Sequence, residues 1–306
     1  MVADEFSLIE RYFADLGAGQ GVALSVGDDC ALLKTRPGEL LATSVDTLVE
    51  GVHFPTGAAP ADIAYRAVAT AASDLAAIGA LPLAMTLALT LPSAQERFLE
   101  PFAAGLRDAV TALALPLVGG DTTRGPLAIT VQVFGVVPEG DALSRGGAQP
   151  GDRLCVSGTL GDAAAALAHI NGEWRAPESC VELLHRQFYR PQPRFDLVEV
   201  LRGAASAAID VSDGLLADAG HLARASDVRI DIDPERLPMS DALRAHPDAA
   251  VRKRWALAGG DDYELCFTLP EGPPLPAGCA CIGRVSAGAG VYAGDGVDFA
   301  SGYTHF

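Results

Sequence analysis

The fold is decided by the stretch Gly27-Asp28-Asp29-Cys30-Ala31 together with the two segments that follow it, Leu40-Leu41-Ala42-Thr43-Ser44-Val45-Asp46-Thr47 and Gly51-Val52-His53-Phe54. Residues 40–45 are apolar and include β-branched side chains, a pattern that predicts a buried strand. Asp46 is then expected at the carboxyl end of that strand, where ligands bind in α/β sheets. Gly27 lets the chain turn tightly and approach a ligand closely. Acidic groups are therefore expected to converge from two loops.

The bland interpretation of Asp28 and Asp29 is that they are ordinary turn residues, since aspartate is common in turns. Recurrence of the pattern along the chain favours a ligand site instead. An apolar strand, small residues and then an aspartate occur repeatedly, at Asp46, Asp121, Asp210 with Asp213, and Asp261. Asp74 lies among small apolar residues in a predicted helix, where an unpaired charge is costly to bury unless it points to solvent.

Composition excludes several classes of protein. The chain has 306 residues, enough for two domains, and 49% of them are hydrophobic. Its formal net charge is −17 and it shows no basic stripe, which argues against a nucleic-acid partner. The two lysines, Lys34 and Lys253, do not lie in glycine-rich loops. A phosphate loop of the G-x-x-x-x-G-K-[ST] type is therefore absent, and a nucleotide must be held in another way.

Targeting signals and cysteine spacing indicate a cytoplasmic protein. The N-terminal residues carry acids and no apolar core, so no signal peptide is predicted. No apolar run is long enough to span a membrane. The six cysteines form no C-x-x-C pair, and we expect free thiols rather than a zinc site or disulfides.

Alternating strand and helix patterns predict an α/β (α+β) protein of two domains. We expect an N-terminal nucleotide-binding domain over residues 1–137, a Gly/Pro-rich linker over 138–152 and a second α/β domain over 153–306. Predicted strands cover 83–91, 115–118, 127–137, 153–157, 207–211, 228–232, 265–269 and 281–285. Predicted helices cover 5–16, 60–78, 163–169, 178–188, 194–204 and 215–225. A further helix is expected up to Leu113, opened by a Ser93–Glu96 capping box and interrupted or re-started at Pro101.

Several carboxylates in one cleft would repel one another. At ~4 Å and an effective dielectric constant of ~20, each pair costs about 4 kcal/mol. Either some are protonated or hard cations lie between them, and a site of carboxylates with few nitrogen ligands favours Mg²⁺. The acidic pattern thus suggests phosphoryl transfer from a nucleotide, with metal replacing the missing lysine. Arg124 and Arg145 are candidate phosphate ligands or surface ion-pair partners, and His53 is a candidate ligand or a structural histidine.

The chain resembles the thiamine-monophosphate kinase family in the segments quoted above and in four others. These are Ser73-Asp74-Leu75-Ala76-Ala77, Gly119-Gly120-Asp121-Thr122-Thr123-Arg124-Gly125, Ile209-Asp210-Val211-Ser212-Asp213-Gly214-Leu215 and Gly259-Gly260-Asp261-Asp262-Tyr263-Glu264-Leu265. The resemblance covers essentially the whole chain. It implies the two-domain aminoimidazole ribonucleotide synthetase-like fold, with mixed sheets, helices and a homodimer whose N-terminal strands join across the interface. It also implies ATP as co-substrate, Mg²⁺ as metal and thiamine monophosphate as acceptor.

The resemblance assigns roles to individual residues. It implies metal ligation near Asp29, Ser44, Val45, Asp46, Asp74, Asp121, Asp210 and Asp213. It implies ATP contacts at Gly120, Asp121, Arg145 and Ser212, and acceptor contacts at His53, Asp261 and Phe299. Catalysis would centre on Asp46, Asp121 and Asp210. Asp261 and Phe299 depart from the glutamate and tryptophan of a relative.

We therefore expect an ATP-dependent kinase that converts thiamine monophosphate to the diphosphate by direct in-line transfer. One alternative is another enzyme of the superfamily, such as a selenophosphate synthetase or an aminoimidazole ribonucleotide synthetase. A selenophosphate synthetase is expected to carry a reactive cysteine near its start, whereas the first cysteine here, Cys30, lies inside the acidic turn. The other alternative is a non-catalytic module that binds a nucleotide or a divalent ion.

Overall fold

A computed structural model describes residues 5–27 and 29–294 of the chain. Two of the predicted site positions, Asp28 and Phe299, lie outside the described residues. The chain divides into two compact units. The first contains the described residues up to Leu75 together with Ala80–Gly140, and the second contains Ala76–Gly79 together with the described residues from Asp141 onward. The domain limits predicted from the sequence remain a prediction.

The first unit is built around a mixed sheet. Its strands are β1 (Val22–Leu24), β2 (Leu32–Leu33), β3 (Glu39–Val49), β4 (Leu81–Leu91), β5 (Leu117–Arg124) and β6 (Ala128–Pro138). Where the chain is described, four of them form one sheet in the order β3-β6-β4-β5, and β1 and β2 form a separate hairpin. Only β4 and β5 pair in parallel within the four-stranded sheet.

Helices α1 (Glu5–Tyr12), α2 (Pro60–Ala77) and α3 (Glu96–Leu113) accompany this sheet. Strand β6 alternates between buried and half-buried residues along its whole length, as expected for a sheet covered more fully on one face. The buried set includes Ile129, Val131 and Val133, each fully buried. Helix α2 is buried nearly throughout, since its alanines allow close approach of neighbouring elements.

The second unit has a larger sheet. Its strands are β7 (Arg153–Ser157), β8 (Ala207–Asp210), β9 (Arg229–Ile232), β10 (Leu265–Leu269), β11 (Cys279–Ser286) and β12 (Gly290–Ala293). In the described part of the chain they form six strands in the order β12-β9-β11-β7-β10-β8, antiparallel except for β12 beside β9. Its helices are α4 (Asp162–Ile170), α5 (Glu178–Tyr189), α6 (Phe195–Leu201), α7 (Leu215–Ser226), α8 (Asp241–Arg244) and α9 (Ala249–Ala258).

Two strands are longer than the sequence predicted, and this changes where acidic residues lie. Strand β3 continues to Val49, so the expectation that Asp46 stands at its carboxyl end is wrong: Asp46 pairs with Val131 in mid-strand. Strand β5 continues through Gly119, Gly120 and Asp121, which were expected in a loop. In both cases hydrogen bonding to a neighbouring strand outweighs the low strand propensity of glycine and aspartate.

The start of α3 also differs from the prediction. Gln95 occupies the N-cap position and no side chain caps the helix, so the Ser93–Glu96 capping box is wrong. The Ser93 hydroxyl instead accepts a hydrogen bond of 2.8 Å from the side-chain amide of Gln95. Pro101 is accommodated inside the helix rather than at its start.

Candidate functional site

Strand β3 carries three of the predicted site residues on two different faces. Ser44 and Asp46 lie opposite Val133 and Val131 of β6, so their half-buried side chains share the face that packs into the core. Val45 points to the other face, where 62% of its surface is exposed. Alternation along the strand therefore separates Val45 from its two neighbours, and only its backbone can contribute near them.

Asp74, on α2, is joined to this strand. The Ser44 hydroxyl donates a hydrogen bond of 2.5 Å to Oδ2 of Asp74. Asp74 is half-buried, so the solvent-facing alternative weighed from the sequence does not hold. Asp46 accepts a hydrogen bond of 2.9 Å at Oδ1 from the backbone N–H of Thr47. Ser44, Asp46 and Asp74 thus present oxygen atoms on the side of the sheet that helix α2 covers.

A cavity of about 460 Å³ lies between the acidic turn and strand β5. Its polar lining includes Asp29, Gly119, Gly120 and Asp121. Its apolar lining includes Ile9, Phe13, Leu117 and Val118. The structure therefore brings three of the predicted site residues, Asp29, Gly120 and Asp121, to one partly open pocket with both polar and apolar walls.

The glycine at position 120 is required by a close backbone approach. A Cβ atom there would lie 1.9 Å from the carbonyl oxygen of Leu87 on β4, and the φ angle is +158°. At Gly119 the nearest atom to such a Cβ is a methyl carbon of Thr86 at 3.9 Å. Because only glycine fits at 120, β5 can stay hydrogen-bonded to β4 right up to Asp121.

His53 lies in the turn that follows β3 and is half-buried. Its Nδ1 accepts a hydrogen bond of 3.0 Å from the backbone N–H of Val49. In the neutral ring the proton is consequently on Nε2. The turn thus fixes the tautomer and orientation of this imidazole.

In the second unit, strand β8 ends at Asp210 and leads into a short loop that contains Ser212 and Asp213. Asp210 is 4% exposed. The loop is tied to the chain beyond α9 by backbone hydrogen bonds, from Asp261 N–H to Ser212 O and from Tyr263 N–H to Val211 O, both 2.8 Å. The segment with Asp210, Ser212 and Asp213 is thus fixed next to the segment that contains Asp261.

Sequence reasoning missed Asp218, on the first turns of α7. Its Oδ2 accepts hydrogen bonds from the backbone N–H groups of Ser212 at 3.0 Å and Asp213 at 3.1 Å. Burial, together with repulsion from Asp210 and Asp213, raises the pKa of Asp218 to about 8, although the two amides oppose this shift. Three carboxylates therefore crowd one end of β8, an excess of negative charge that a cation would relieve.

His221, one turn further along α7, was also missed. Among the described residues, Asp213, Asp218 and His221 are the group whose potential metal-ligand atoms all lie within 4.8 Å of one another. Nδ1 of His221 lies 3.0 Å from an Arg224 nitrogen. Burial first, and then the positive charges of Arg224 and Arg145, lower the pKa of His221. The predicted acids of the first unit form no comparable group within the described ranges.

Arg145 is exposed, in the irregular segment after β6. Its carbonyl oxygen accepts a hydrogen bond of 3.2 Å from the hydroxyl of Ser226, at the end of α7. The same hydroxyl accepts 3.1 Å hydrogen bonds from the N–H groups of Gly147 and Ala148. The structure thus holds the backbone at Arg145 against α7, with the side chain near enough to influence the pKa of His221.

Asp261 has an unusual backbone conformation, with φ of 69°, and Tyr263 follows with φ of 50°. Such angles are uncommon outside glycine and, for a bulky tyrosine, mark a strained segment. The Tyr263 hydroxyl donates a hydrogen bond of 2.9 Å to Oδ1 of Asp261. Because Tyr263 is only 7% exposed, this contact anchors the Asp261 carboxylate to the core.

The segment is anchored at its other end as well. Glu264, with a side chain 13% exposed, forms a 2.7 Å ion pair with Arg194 and accepts a hydrogen bond from Ser157. Burial raises the pKa of Glu264, and the Arg194 charge opposes that shift. A buried, paired carboxylate of this kind is costly to separate from its partner.

Among the helices of the described residues, none is long and apolar enough to cross a membrane.

Comparison with known proteins agrees with this architecture. Residues 27–137 match the family described as AIR synthase related protein, N-terminal domain. The thiamine-monophosphate kinase of Escherichia coli K12 is 49% identical over 273 residues, which is 89% of this chain and 84% of that protein. A crystal structure of thiamine-monophosphate kinase from Stenotrophomonas maltophilia has a TM-score of 0.87 at 43% identity, covering 97% of this chain and 98% of that one.

A structure of AaThiL complexed with AMPPCP and TMP has a TM-score of 0.82 at 34% identity, covering 99% of this chain and 97% of that one. The predicted α/β fold of the aminoimidazole ribonucleotide synthetase type and the predicted relationship are therefore confirmed. On its sequence, its fold and the agreement of both over nearly its full length, the chain belongs to the thiamine-monophosphate kinase family.

Proposed function

We propose that this protein transfers the γ-phosphoryl group of ATP to the phosphate of thiamine monophosphate, with Mg²⁺, to give thiamine diphosphate and ADP. The observation that carries the proposal is the cavity in which Asp29, Gly120 and Asp121 meet at the edge of β5. Family membership supports ATP and thiamine monophosphate as the substrates, since one relative of similar structure is described as complexed with AMPPCP and TMP.

The residues present suit Mg²⁺. Asp29, Asp46, Asp74 and Asp121 in the first unit, and Asp210 and Asp213 in the second, offer oxygen donors, which Mg²⁺ prefers. Burial first, and then repulsion from Asp210 and Asp213, raises the pKa of Asp218, and a cation at the end of β8 would reduce that repulsion. We assign metal binding to these six aspartates, with Ser44 orienting Asp74 and the Val45 carbonyl nearby. When bound, Mg²⁺ would neutralise phosphate charge and reduce the repulsion between donor and acceptor.

The cavity fits one end of a nucleotide better than a free phosphate. Its glycines allow phosphate oxygens to approach backbone N–H groups, and its apolar walls offer a surface for an aromatic base. Gly120 and Asp121 are assigned to ATP on this basis. Ser212 and Arg145 are assigned to ATP from the resemblance to the family alone. A planar guanidinium such as that of Arg145 binds phosphate oxygens in pairs.

The acceptor is assigned to His53, Asp261 and Phe299, the last of which lies outside the described residues. The anchored carboxylate of Asp261 suits a cationic ring such as thiazolium, and the imidazole of His53 suits a phosphate. An acceptor phosphate is already ionised at neutral pH and needs no general base. Its oxygen attacks the γ-phosphorus directly while the bond to the β,γ-bridging oxygen breaks, and ADP leaves.

Two further assignments belong to the proposal. The exposed apolar residues Leu40, Leu41 and Val45 on β3, at the edge of the sheet, suit a homodimer formed through this strand. Six free cysteines suit the cytoplasm. Nucleic acid and membrane are not expected as partners of a chain with a net charge of −17.

The test is an assay with ATP, Mg²⁺ and a panel of phosphomonoesters, in which ADP and a diphosphate product are measured. We expect turnover with thiamine monophosphate and loss of turnover in Asp121→Asn, with Asp227→Asn at the exposed end of α7 as the control. Near wild-type turnover of Asp121→Asn at saturating Mg²⁺ would contradict the catalytic assignment. Turnover only with another phosphomonoester would favour a different enzyme of the superfamily, and nucleotide binding without turnover would favour a binding module.

Direct transfer of the phosphoryl group from ATP to the acceptor has its own test. The enzyme is incubated with γ-labelled ATP and Mg²⁺ without acceptor, quenched and denatured. We expect no stoichiometric label on the protein, because no aspartate or histidine is phosphorylated in this route. Label that is chased into product when acceptor is added would show a covalent intermediate instead.

A further inference from the structure

We propose that Asp218 is a positioning residue, whose carboxylate holds the backbone of Ser212 and Asp213 in the conformation that binds Mg²⁺ and ATP. The proposal rests on the proposed function, since it takes Asp210, Ser212 and Asp213 as part of the ATP and metal site. It assigns Asp218 no contact with substrate or metal.

The first observation is the pair of hydrogen bonds that Asp218 accepts. One oxygen, Oδ2, receives the N–H groups of two successive residues, Ser212 at 3.0 Å and Asp213 at 3.1 Å. Two adjacent amides that point at one atom fix the peptide plane between them, and with it the directions in which the Ser212 and Asp213 side chains leave the backbone. Asp218 therefore acts on both site residues at once.

The second observation is where the carboxylate lies. Asp218 is 2% exposed and belongs to the buried stripe of α7, with Leu215, Ala219 and Leu222. Helix periodicity would place an apolar residue there, and a buried carboxylate costs free energy unless hydrogen bonds compensate it. A costly group at an otherwise apolar position, satisfied by the loop next to the site, indicates a role in holding that loop.

The third observation is that the opposite edge of the loop is also held. The carbonyl groups of Val211 and Ser212 accept from the N–H groups of Tyr263 and Asp261, and Val211 N–H donates to Glu264 O at 2.7 Å. The loop is thus fixed between main chain on one side and Asp218 on the other. Loss of Asp218 would free the side that leads to Asp213 while leaving the other side bound.

The competing interpretation is that Asp218 is itself a metal ligand, since its ligand atoms lie within 4.8 Å of those of Asp213 and His221. The two interpretations differ in what asparagine does. An amide oxygen can accept both backbone N–H groups, so Asp218→Asn preserves positioning, but it removes the negative charge with which a carboxylate would attract a cation. Glutamate keeps the charge and moves the oxygens by one methylene, so Asp218→Glu preserves charge and loses the position.

The experiment measures binding of AMPPCP in the presence of Mg²⁺ by calorimetry, together with the melting temperature and turnover. Wild type, Asp218→Ala, Asp218→Asn and Asp218→Glu are compared. The matched control is Asp152→Ala, because Asp152 is 5% exposed and also accepts a backbone N–H, from Gln149 at 2.9 Å, in a turn away from the loop. Turnover of the wild type with ATP and thiamine monophosphate tests the proposed function separately.

For Asp218→Ala and Asp218→Glu we expect the Kd of AMPPCP to rise about tenfold, as it would if only about a tenth of the molecules held the loop in its binding conformation. For Asp218→Asn the Kd should stay within about threefold of wild type, and for Asp152→Ala only the melting temperature should fall. A weakened Asn variant with an intact Glu variant would overturn the proposal in favour of a charge or ligand role. An unchanged Kd in the folded Ala variant would also overturn it, and if Ala fails to fold, an unchanged Kd in the Glu variant overturns it instead.

Discussion

At the scale of single residues, one hydroxyl determines how Asp261 is presented. Tyr263 donates to Oδ1 of Asp261 at 2.9 Å from a buried position, across two residues with positive φ. In Tyr263→Phe the carboxylate loses this anchor, so we expect the KM for the acceptor to rise about three- to tenfold, equivalent to about 0.7–1.4 kcal/mol. The KM for ATP should change by less than about twofold. Steady-state kinetics with each substrate varied in turn provide the measurement.

Tyr292→Phe is the control for that change. Tyr292 lies on β12, and the guanidinium carbon of Arg229 lies 4.0 Å from the centre of its ring. Both kinetic constants should match wild type in this variant. If Tyr263→Phe raised the two KM values equally, the hydroxyl would be acting on the whole segment rather than on the acceptor side.

Gly120 gives a second prediction at this scale. A methyl group at position 120 would lie 1.9 Å from a backbone oxygen of β4, which neither strand can avoid without breaking their pairing. We expect Gly120→Ala to lower stability by about 2 kcal/mol or more and to abolish turnover. Thermal unfolding measures the first effect. Gly119→Ala, whose methyl has 3.9 Å of room, should unfold within a few degrees of wild type, and an equal loss in both variants would refute the argument.

At the scale of secondary-structure elements, helix α4 begins with a buried carboxyl group. Asp162 is 1% exposed and accepts hydrogen bonds from Ser240 at 2.5 Å and Thr159 at 2.7 Å. Burial raises the pKa of Asp162 above its ordinary value of 3.8, and the two hydroxyls only partly oppose the shift. The folded state therefore binds a proton at this group more tightly than the unfolded state does. The contribution of this group to the free energy of unfolding is complete at pH values below its pKa in the unfolded state. It is lost as the pH rises through its pKa in the folded state.

Asp162→Asn tests this direction of the pH dependence of stability, because the amide is neutral at every pH. The melting temperature of the variant minus that of wild type should increase as the pH is raised from about 4 to about 7. Titrating groups that do not interact with Asp162 are shared and cancel in the difference. Removing the Asp162 charge also lowers the pKa of Asp262, which changes the difference in the same direction. A difference for Asp162→Asn that falls as the pH rises would contradict the prediction.

Elements show what the sequence could and could not predict. Periodicity located most helices and strands of both units, because buried stripes and short apolar runs are local signals. It could not predict that β3 and β5 continue through Asp46 and Asp121, because that depends on hydrogen bonds to β6 and β4, which are distant in sequence. The contact between Ser44 and Asp74 could not be predicted either, because these residues are also distant in sequence.

The site residues that were missed show the same limit of prediction from sequence. Asp218 left one trace in the sequence: an acid one turn after Leu215, on the face of α7 that continues with Leu222. A charged residue within an apolar stripe is a signal to look for a buried partner. Its actual partners are backbone amides of Ser212 and Asp213, which no side-chain pattern records. His221 and Tyr263 left no comparable trace.

At the scale of the whole molecule, the edge of the first sheet is the surface to which we assign the proposed homodimer. Strand β3 is at the end of the order β3-β6-β4-β5, and Leu41 on it is 51% exposed. An exposed apolar edge strand in a soluble protein is suited to pairing with another strand. We expect Leu41→Glu to convert the proposed homodimer to a monomer, because the change places a carboxylate in an apolar interface. Light scattering coupled to size-exclusion chromatography measures the mass.

Val200→Glu is the matched control for assembly, since Val200 on α6 is 54% exposed and lies in the second unit. It should leave the mass unchanged. A wild-type protein that elutes as a monomer at micromolar concentration would contradict the dimer, and a dimer that survives Leu41→Glu would move the interface away from this strand.

The pairing of β3 with β6 runs from Glu39 opposite Pro138 to Val49 opposite Ala128 without a bulge. Side chains alternate between faces, so adding or deleting one residue inside β3 would move every following side chain to the other face. Ser44 and Asp46 would exchange faces with Val45, and the contact with Asp74 would be lost. This strand can therefore vary in composition but not in length, and insertions or deletions between related proteins should collect elsewhere, for example in the loops at 92–95 and 270–278.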